Sequence, residues 1–397
     1  MRSVNIEDLD IGVPDADEIV RFGGIAARSL NVAPERIPLW MTRVGARNLR
    51  VARRGDTVIG GLAIQPMGHW FGGRAVPCAG ITAVAVATEH RSRGVAGEMM
   101  RTALEESRRD GVPLSSLYPA TFPVYRAAGY ESAGNRFVYR VPLANIGAAA
   151  REPDVREGTA DDHATLRALY DARARTLAGA VERTPYFWTR ILEPLGEDAR
   201  IYLVEGDDGP EGYAVLSYRP STSPLAPSEL PVRDAVARTP GAARRILRLL
   251  ADHRSVARTA TLAAGPGDPL LGCMQEEKLE MAEMERWMLR IVDVRGALER
   301  RGWSAHVRGE LELDVRDALL PENARRWVLE VAGGRAQVRE GGSGAVVIDV
   351  RGLASLYAGY QPAEELRVAG LCEGADADLA KASALFAGPA PWLADFY

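Results

Sequence analysis

The sequence predicts a mixed α/β protein made of three consecutive blocks, residues 1–146, 147–291 and 292–397. Three observations carry this expectation. Short β-branched runs alternate with amphipathic helical stretches in the first block, the same order of elements recurs in the second, and four short strands followed by three helices close the chain. A length of 397 residues also exceeds what one ordinary hydrophobic core holds, which calls for more than one domain.

Composition narrows the function classes. A hydrophobic share of 47% and a charged share of 26% are those of a water-soluble globular chain, and a net charge of −4 gives no reason to expect nucleic acid as a partner. Only Lys278 and Lys381 are lysine among the 49 basic residues, a bias that an arginine- and alanine-rich genome explains without function. Cys78, Cys273 and Cys372 are odd in number and far apart, and the five histidines share no ligand spacing with them, so neither a disulfide framework nor a metal is expected. No apolar run approaches the roughly 18 residues of a membrane span, and the first ten residues lack the apolar stretch of a signal peptide. A cytoplasmic location is the expectation.

The first block opens with a helix over Asp15 to Leu30. A hairpin of Leu49–Arg53 and Val58–Gln65 follows, turning at Gly55-Asp56, and then a tight turn at Gly72-Gly73. The central unit is a strand from Ile81 to Ala87, a basic turn, and a helix that opens at Gly94, with Val95, Met99, Ala103 and Leu104 on one apolar stripe. The turn has the chemistry of an anion site. The first turn of a helix carries unpaired N–H groups and the positive end of its dipole, Gly94 and Ala96 leave that backbone uncovered, and Arg91 and Arg93 add charge at the rim. A strand at Leu114–Tyr118 then runs into Pro119-Ala120-Thr121-Phe-Pro-Val-Tyr125 and a Gly129-Tyr130 pair.

Arg91-Ser-Arg-Gly94-Val-Ala96 resembles the pyrophosphate-binding motif of the GNAT N-acetyltransferases, Arg/Gln-x-x-Gly-x-Gly/Ala. The resemblance implies acetyl-CoA as cosubstrate, its pantetheine arm lying between two strands that part after a bulge. The backbone of Val84, Ala85 and Val86 is then expected along that arm, with the Val86 N–H on the thioester carbonyl. Arg91 and the amides of Ser92, Arg93, Gly94, Val95, Ala96 and Gly97 are expected on the pyrophosphate, and Ala120 and Thr121 at the acyl end. Tyr125 matches the family's general acid. A phenol with a pKa of about 10 can protonate a departing thiolate when held within hydrogen-bonding reach.

The second block echoes this order: a helix over Asp161–Leu177, a hairpin of Ile201–Glu205 and Tyr213–Tyr218, then Val232 to Ala243 leading into a helix over Arg244–Leu250. Pro240 removes one donor from the corresponding loop, and nothing after Leu262 repeats the Tyr125 pattern, so a degenerate copy without cofactor is expected. In the third block Val294 opens a helix. Strands are expected at Gly309–Val315, Trp327–Val331, Ala336–Arg339 and Val346–Val350, with a hairpin turn at Gly341–Gly344, and helices at Leu353–Gly359, Pro362–Ala369 and Ala375–Phe386. This block resembles the sterol carrier protein fold.

Two GNAT-like blocks followed by a sterol-carrier-like block resemble, over essentially the whole chain, the Eis (enhanced intracellular survival) family of actinobacterial N-acetyltransferases. That resemblance implies a homohexamer and primary-amine acceptors such as aminoglycosides, polyamines or lysine side chains. It also implies that the terminal α-carboxylate, here of Tyr397, enters the cleft as general base. The last nine residues hold two prolines and three aromatics, a composition suited to a docked tail. Asp395 is expected to make the acceptor pocket negative, with Phe22, Trp40 and Phe396 as further contacts, although no acidic residue stands among Phe22 to Arg28. The alternative from another class is a carrier of lipids or hydrophobic ligands with a relic acyltransferase block.

Overall fold

The computed structural model describes residues 9–147, 151–218, 228–276 and 278–397. Twelve α-helices and eighteen strands are described. The first block contains β1 (Asp10–Gly12), α1 (Ala16–Leu30), α2 (Ile37–Val44), β2 (Leu49–Arg54), β3 (Thr57–Phe71), β4 (Arg74–Val86), α3 (Val95–Arg109), β5 (Leu114–Leu117), α4 (Phe122–Ala127) and β6 (Glu131–Pro142). The second holds β7 (Val155–Glu157), α5 (His163–Ala174), β8 (Val181–Glu182), α6 (Pro185–Leu192), β9 (Asp198–Val204), β10 (Gly212–Tyr218), β11 (Ser228–Ala237), α7 (Pro240–Asp252), β12 (Ala257–Ala263), α8 (Pro269–Gly272) and β13 (Glu280–Ile291). The third holds α9 (Val294–Arg300), β14 (Gly309–Arg316), β15 (Arg326–Ala332), β16 (Arg335–Glu340), β17 (Val346–Asp349), α10 (Val350–Ala358), α11 (Ala363–Val368), β18 (Cys372–Glu373) and α12 (Asp376–Phe386).

These elements form two compact units that do not follow sequence order. One comprises Met1–Gly134, Arg286–Pro391 and Tyr397, the other Asn135–Glu285 and Trp392–Phe396. In the first unit a sheet runs β1-β2-β3-β4-β5 and is completed by Met288–Ile291 of β13, antiparallel to β5. In the second unit the order is β7-β9-β10-β11-β12, completed by Val138–Pro142 of β6, antiparallel to β12. Each sheet therefore takes its last strand from the other block of sequence. In both, one parallel pair, β4·β5 or β11·β12, sits among antiparallel neighbours.

Local chemistry explains the helices that position the site. Asp15 caps α1 through a capping box with Glu18, whose carboxylate also forks onto Arg53 of β2. Phe22 of α1 lies flat on β3, where a Cβ at Gly61 would come within 2.8 Å of its ring. On the opposite face Val95, Met99, Ala103 and Leu104 of α3 pack with Ile59, Leu62 and Ile81 in one buried cluster.

The first unit also contains the second sheet, ordered β16-β15-β14-β17-β18, with β17 parallel to β14. Two expectations change here. Gly341–Gly344 is not a hairpin turn, since β16 and β17 do not pair, and the loop instead crosses the sheet, held by Glu312 accepting from the Ser343 amide and hydroxyl. Val350 starts a helix rather than ending a strand, because Asp349 caps α10 by accepting from Arg351 N–H. Close backbone approach joins this sheet's domain to β3 and β4: Gly302 N–H donates to Phe71 O at 3.0 Å, and a Cβ on Gly302 would stand 2.0 Å from Gly72 O.

Candidate active site

Strands β4 and β5 pair in parallel only from Cys78–Gly80 against Leu114–Ser116, and beyond that point they part. The cause is local to β4. Ala83 and Val84 together oppose Leu62 of β3, a bulge in which Ala83 adopts a left-handed φ of 54°. After the bulge Ala87 N–H donates to Ile59 O at 2.9 Å, so alternation turns the N–H and C=O of Val86 away from β3 and toward the gap. The Val86 carbonyl is held by Arg91 Nε at 3.1 Å and by Ser29 Oγ at 3.3 Å. The outer nitrogen of Arg91 also donates to Ser29 Oγ at 3.1 Å.

The basic turn then presents main-chain donors. Ser92 and Gly94 are both left-handed, with φ of 57° and 82°, and Gly94 caps α3 without a side-chain bond. The first backbone bond of the helix is Glu98 N–H to Gly94 O at 3.0 Å, so the amides of Ser92 through Gly97 have no backbone acceptor among the described residues. Ser92, Arg93, Gly94 and Gly97 are exposed and Ala96 is half-buried, while Val95 anchors the turn in the core. Consecutive donors around left-handed residues at a helix N-terminus make an anion cradle. This donor set and the parted strands suit the diphosphate and pantetheine of coenzyme A.

Tyr125 lies on α4, where strand β5 ends, and is buried. Its carbonyl accepts from Tyr130 N–H at 3.0 Å and its ring meets the Tyr130 ring edge-on at 6.3 Å. Tyr130 is fixed in turn by Ser115 Oγ, 2.7 Å from its hydroxyl, and Ser115 bonds Ala79 O. Burial pushes the Tyr125 phenol above its ordinary value of 10. Its hydroxyl has no hydrogen-bond partner among the described residues, leaving a protonated donor unspent. Ala120 and Thr121 are exposed just before α4.

Tyr397 belongs to the first unit. Its ring is buried, its phenol lies 2.6 Å from Ser116 Oγ, and Tyr118 meets it edge-on at 5.4 Å. Gln65 of β3 stands opposite Gly80 of β4, with Ser116 of β5 next to Gly80. A Cβ at Gly80 would come within 3.3 Å of the Tyr397 ring. Gln65 is buried, and its amide oxygen has no partner among the described residues, an acceptor on that same stretch of sheet.

The other residues expected at the acceptor site are placed as follows. Phe22 is fully buried as part of the α1 packing and Trp40 is half-buried on α2. Asp395 lies in the second unit, buried and forked by Arg183 Nε at 3.0 and 3.1 Å, while Arg183 also binds Asp234. That pairing offsets the negative charge that sequence alone places in an acceptor pocket, and burial raises the Asp395 carboxyl despite the guanidinium. Phe396 is 44% exposed, its carbonyl held by Arg190 at 2.6 Å.

In the second unit the loop before α7 offers fewer bare donors: Thr239 caps the helix by accepting from Ala242 N–H, and Pro240 has no N–H to offer. The strands part there too, since β11 pairs with β12 only as far as Val232. The space is lined by Trp392, Leu393 and Ala394, with the Trp392 ring against Gly265.

Sequence reasoning missed Ser29, Ser116, His69 and Gln65. The Ser115-Ser116 pair inside a four-residue strand between two buried leucines was the available signal, because buried hydroxyls require partners.

Family comparisons agree with this layout. Residues 15–133 and 179–291 each match an acetyltransferase (GNAT) domain, and residues 294–394 match the sterol carrier protein domain. A relative named as an N-acetyltransferase in Streptomyces coelicolor is 31% identical, covering 81% of each chain. The N-acetyltransferase Eis of Mycobacterium tuberculosis is 27% identical over 91% of this chain and 92% of its own. The crystal structure of a GCN5-related N-acetyltransferase from Anabaena variabilis superposes with a TM-score of 0.93 at 33% identity, covering 98% of this chain and all of that one. Two GNAT domains followed by a sterol carrier protein domain, together with these relatives, show that the chain belongs to the Eis-like GNAT N-acetyltransferases.

Proposed function

We propose that this N-acetyltransferase takes acetyl-CoA and acetylates a primary amine by direct attack, with Tyr125 as general acid and the Tyr397 α-carboxylate as general base. The observation that carries the reading is the parted β4·β5 pair with its unpaired amides from Ser92 to Gly97 at the mouth. Acetyl-CoA supplies an activated acyl thioester when bound. The backbone of Val84, Ala85 and Val86 lines the gap, and the Val86 N–H is a main-chain donor for the thioester carbonyl. Arg91 and the amides of Ser92, Arg93, Gly94, Val95, Ala96 and Gly97 hold the diphosphate; Ala120 and Thr121 border the acyl end.

Tyr125 keeps its proton because burial disfavours the phenolate, so it is poised to protonate the departing sulfur. A free α-carboxylate has a pKa of about 3.5, so it acts on the incoming ammonium through one water or by stabilising positive charge on nitrogen. Trp40 remains available as an acceptor contact, and an exposed Phe396 ring as another. A homohexamer is part of the same proposal, suggested by the Eis-like membership and read by light scattering.

The test is thiol release from acetyl-CoA against a panel of polyamines, aminoglycosides and lysine peptides, with wild type and Tyr125→Phe side by side. Turnover with at least one amine, falling about a hundredfold in Tyr125→Phe at unchanged acetyl-CoA affinity, is expected. Equal turnover in the two proteins removes Tyr125 from the role, and coenzyme A density outside the β4·β5 gap in a soaked crystal overturns the whole reading.

A further inference from the structure

Ser116 sits at the centre of a buried polar chain that neither the acid nor the base accounts for. Its hydroxyl lies 2.6 Å from the Tyr397 phenol, 2.8 Å from His69 Nε2 and 3.3 Å from Cys78 Sγ. All four residues are buried in the first unit. A serine hydroxyl has one proton and two lone pairs, so three neighbours saturate it. His69 is immobilised by stacking on Trp287, ring centroids 5.1 Å apart and 17° between planes. Cys78 remains a thiol, its pKa pushed up to about 12 by burial, so it brings no charge to the chain.

Apolar side chains would fill this space without needing partners, so the chain's contribution is specificity of placement. What it places is one ring. The Tyr397 phenol is held at its hydroxyl by Ser116, its ring meets that of Tyr118 at a steep angle, and a Cβ at the bare Gly80 would come within 3.3 Å of it. Phenol and α-carboxyl branch from the same Cα through two side-chain torsions. Fixing the ring therefore limits where the carboxyl oxygens can stand.

We propose that Ser116, oriented by His69, is a positioning residue: by holding the Tyr397 phenol it sets the place of the α-carboxylate that receives the amine proton. This rests on the reading of that carboxylate as base. It also gives the Tyr397 hydroxyl, 2.6 Å from Ser116 Oγ, a function.

The experiment compares Ser116→Ala, Tyr397→Phe, the double variant, Ser116→Thr and removal of Tyr397, using the full chain. One readout needs no substrate: the rate at which carboxypeptidase A releases the last residue, relative to the same terminal peptide free in solution. The other is kcat at saturating amine alongside KM for acetyl-CoA. Ser116→Ala and Tyr397→Phe should each speed release and lower kcat about tenfold, the loss expected for one buried hydrogen bond at a positioned group. The double variant should be no worse than either single one, KM for acetyl-CoA should stay unchanged, and Ser116→Thr should restore both values. Unchanged release and kcat in Tyr397→Phe, or additive losses in the double variant, overturn the proposal, and Tyr397→Phe reads the same bond even where Ser116→Ala fails to fold. Full turnover after removal of Tyr397 instead overturns the base assignment itself, whereas turnover lost on removal but kept in both single variants defeats only the positioning role.

Discussion

Tyr125 illustrates how burial can keep an acid an acid. A phenol whose pKa lies above 10 stays protonated through the whole neutral range, so activity that depends on it should show no alkaline fall below about pH 10. The measurement is kcat against pH with a tertiary buffer series; a basic limb near pH 8 would assign the acid to another group. Glu18 makes the opposite case for stability. Arg53 holds its carboxyl down to about 2 from an ordinary 4.5, so its contribution is complete above pH 4.5 and disappears as pH falls through 2. Glu18→Gln, which loses the capping box and the Arg53 fork on a partly solvated surface, should cost about 1 kcal/mol at pH 7 and much less at pH 2, read by urea melts at both values. At this scale the opening of α3 at Gly94 was legible from type and spacing, because helix-start chemistry is local. The Asp395 partnership with Arg183 was not, since 212 residues separate them.

Among the elements, β10, β11 and the tail residue Asp395 show what a polar cluster costs to disturb. Arg183 is buried with Asp234 and Asp395, while Tyr213 donates to Asp234 at 2.6 Å and the Tyr170 ring lies 3.7 Å beneath the guanidinium. Arg183→Ala leaves two buried carboxylates without their cation and should destabilise the second unit by about 3–5 kcal/mol in thermal unfolding. Gly302→Ala should be comparably harmful in the first unit, because its Cβ would meet the Gly72 backbone rather than a flexible side chain. Helices α1, α3, α10 and α12 are readable from apolar stripes and caps. Strand β18 escaped because two residues declare themselves a strand only through a partner, and β6 and β13 because their polar residues hide the face they bury. Polar alternation such as Glu280-Met-Ala-Glu-Met-Glu285 carries no buried face of its own.

At the scale of the molecule, three blocks are visible in the sequence but two compact units are built from them, since Met288–Ile291 pairs with β5 and Val138–Pro142 with β12. A fragment of residues 1–146 should therefore expose the Leu114–Leu117 edge of its sheet and aggregate or melt well below the full chain, a result that size-exclusion chromatography and circular dichroism would register. Recovery of a stable, monomeric 1–146 would contradict the strand exchange. No helix among the described residues is long and apolar enough to cross a membrane.

The exchange of closing strands also orders events on the ribosome. The turn at Gly94 and helix α3 emerge early, yet the sheet that carries them must wait until Met288–Ile291 has been made before its final neighbour arrives. The nascent polypeptide meanwhile presents a raw hydrogen-bonding edge, so its safe passage depends on whatever shields that edge until translation catches up.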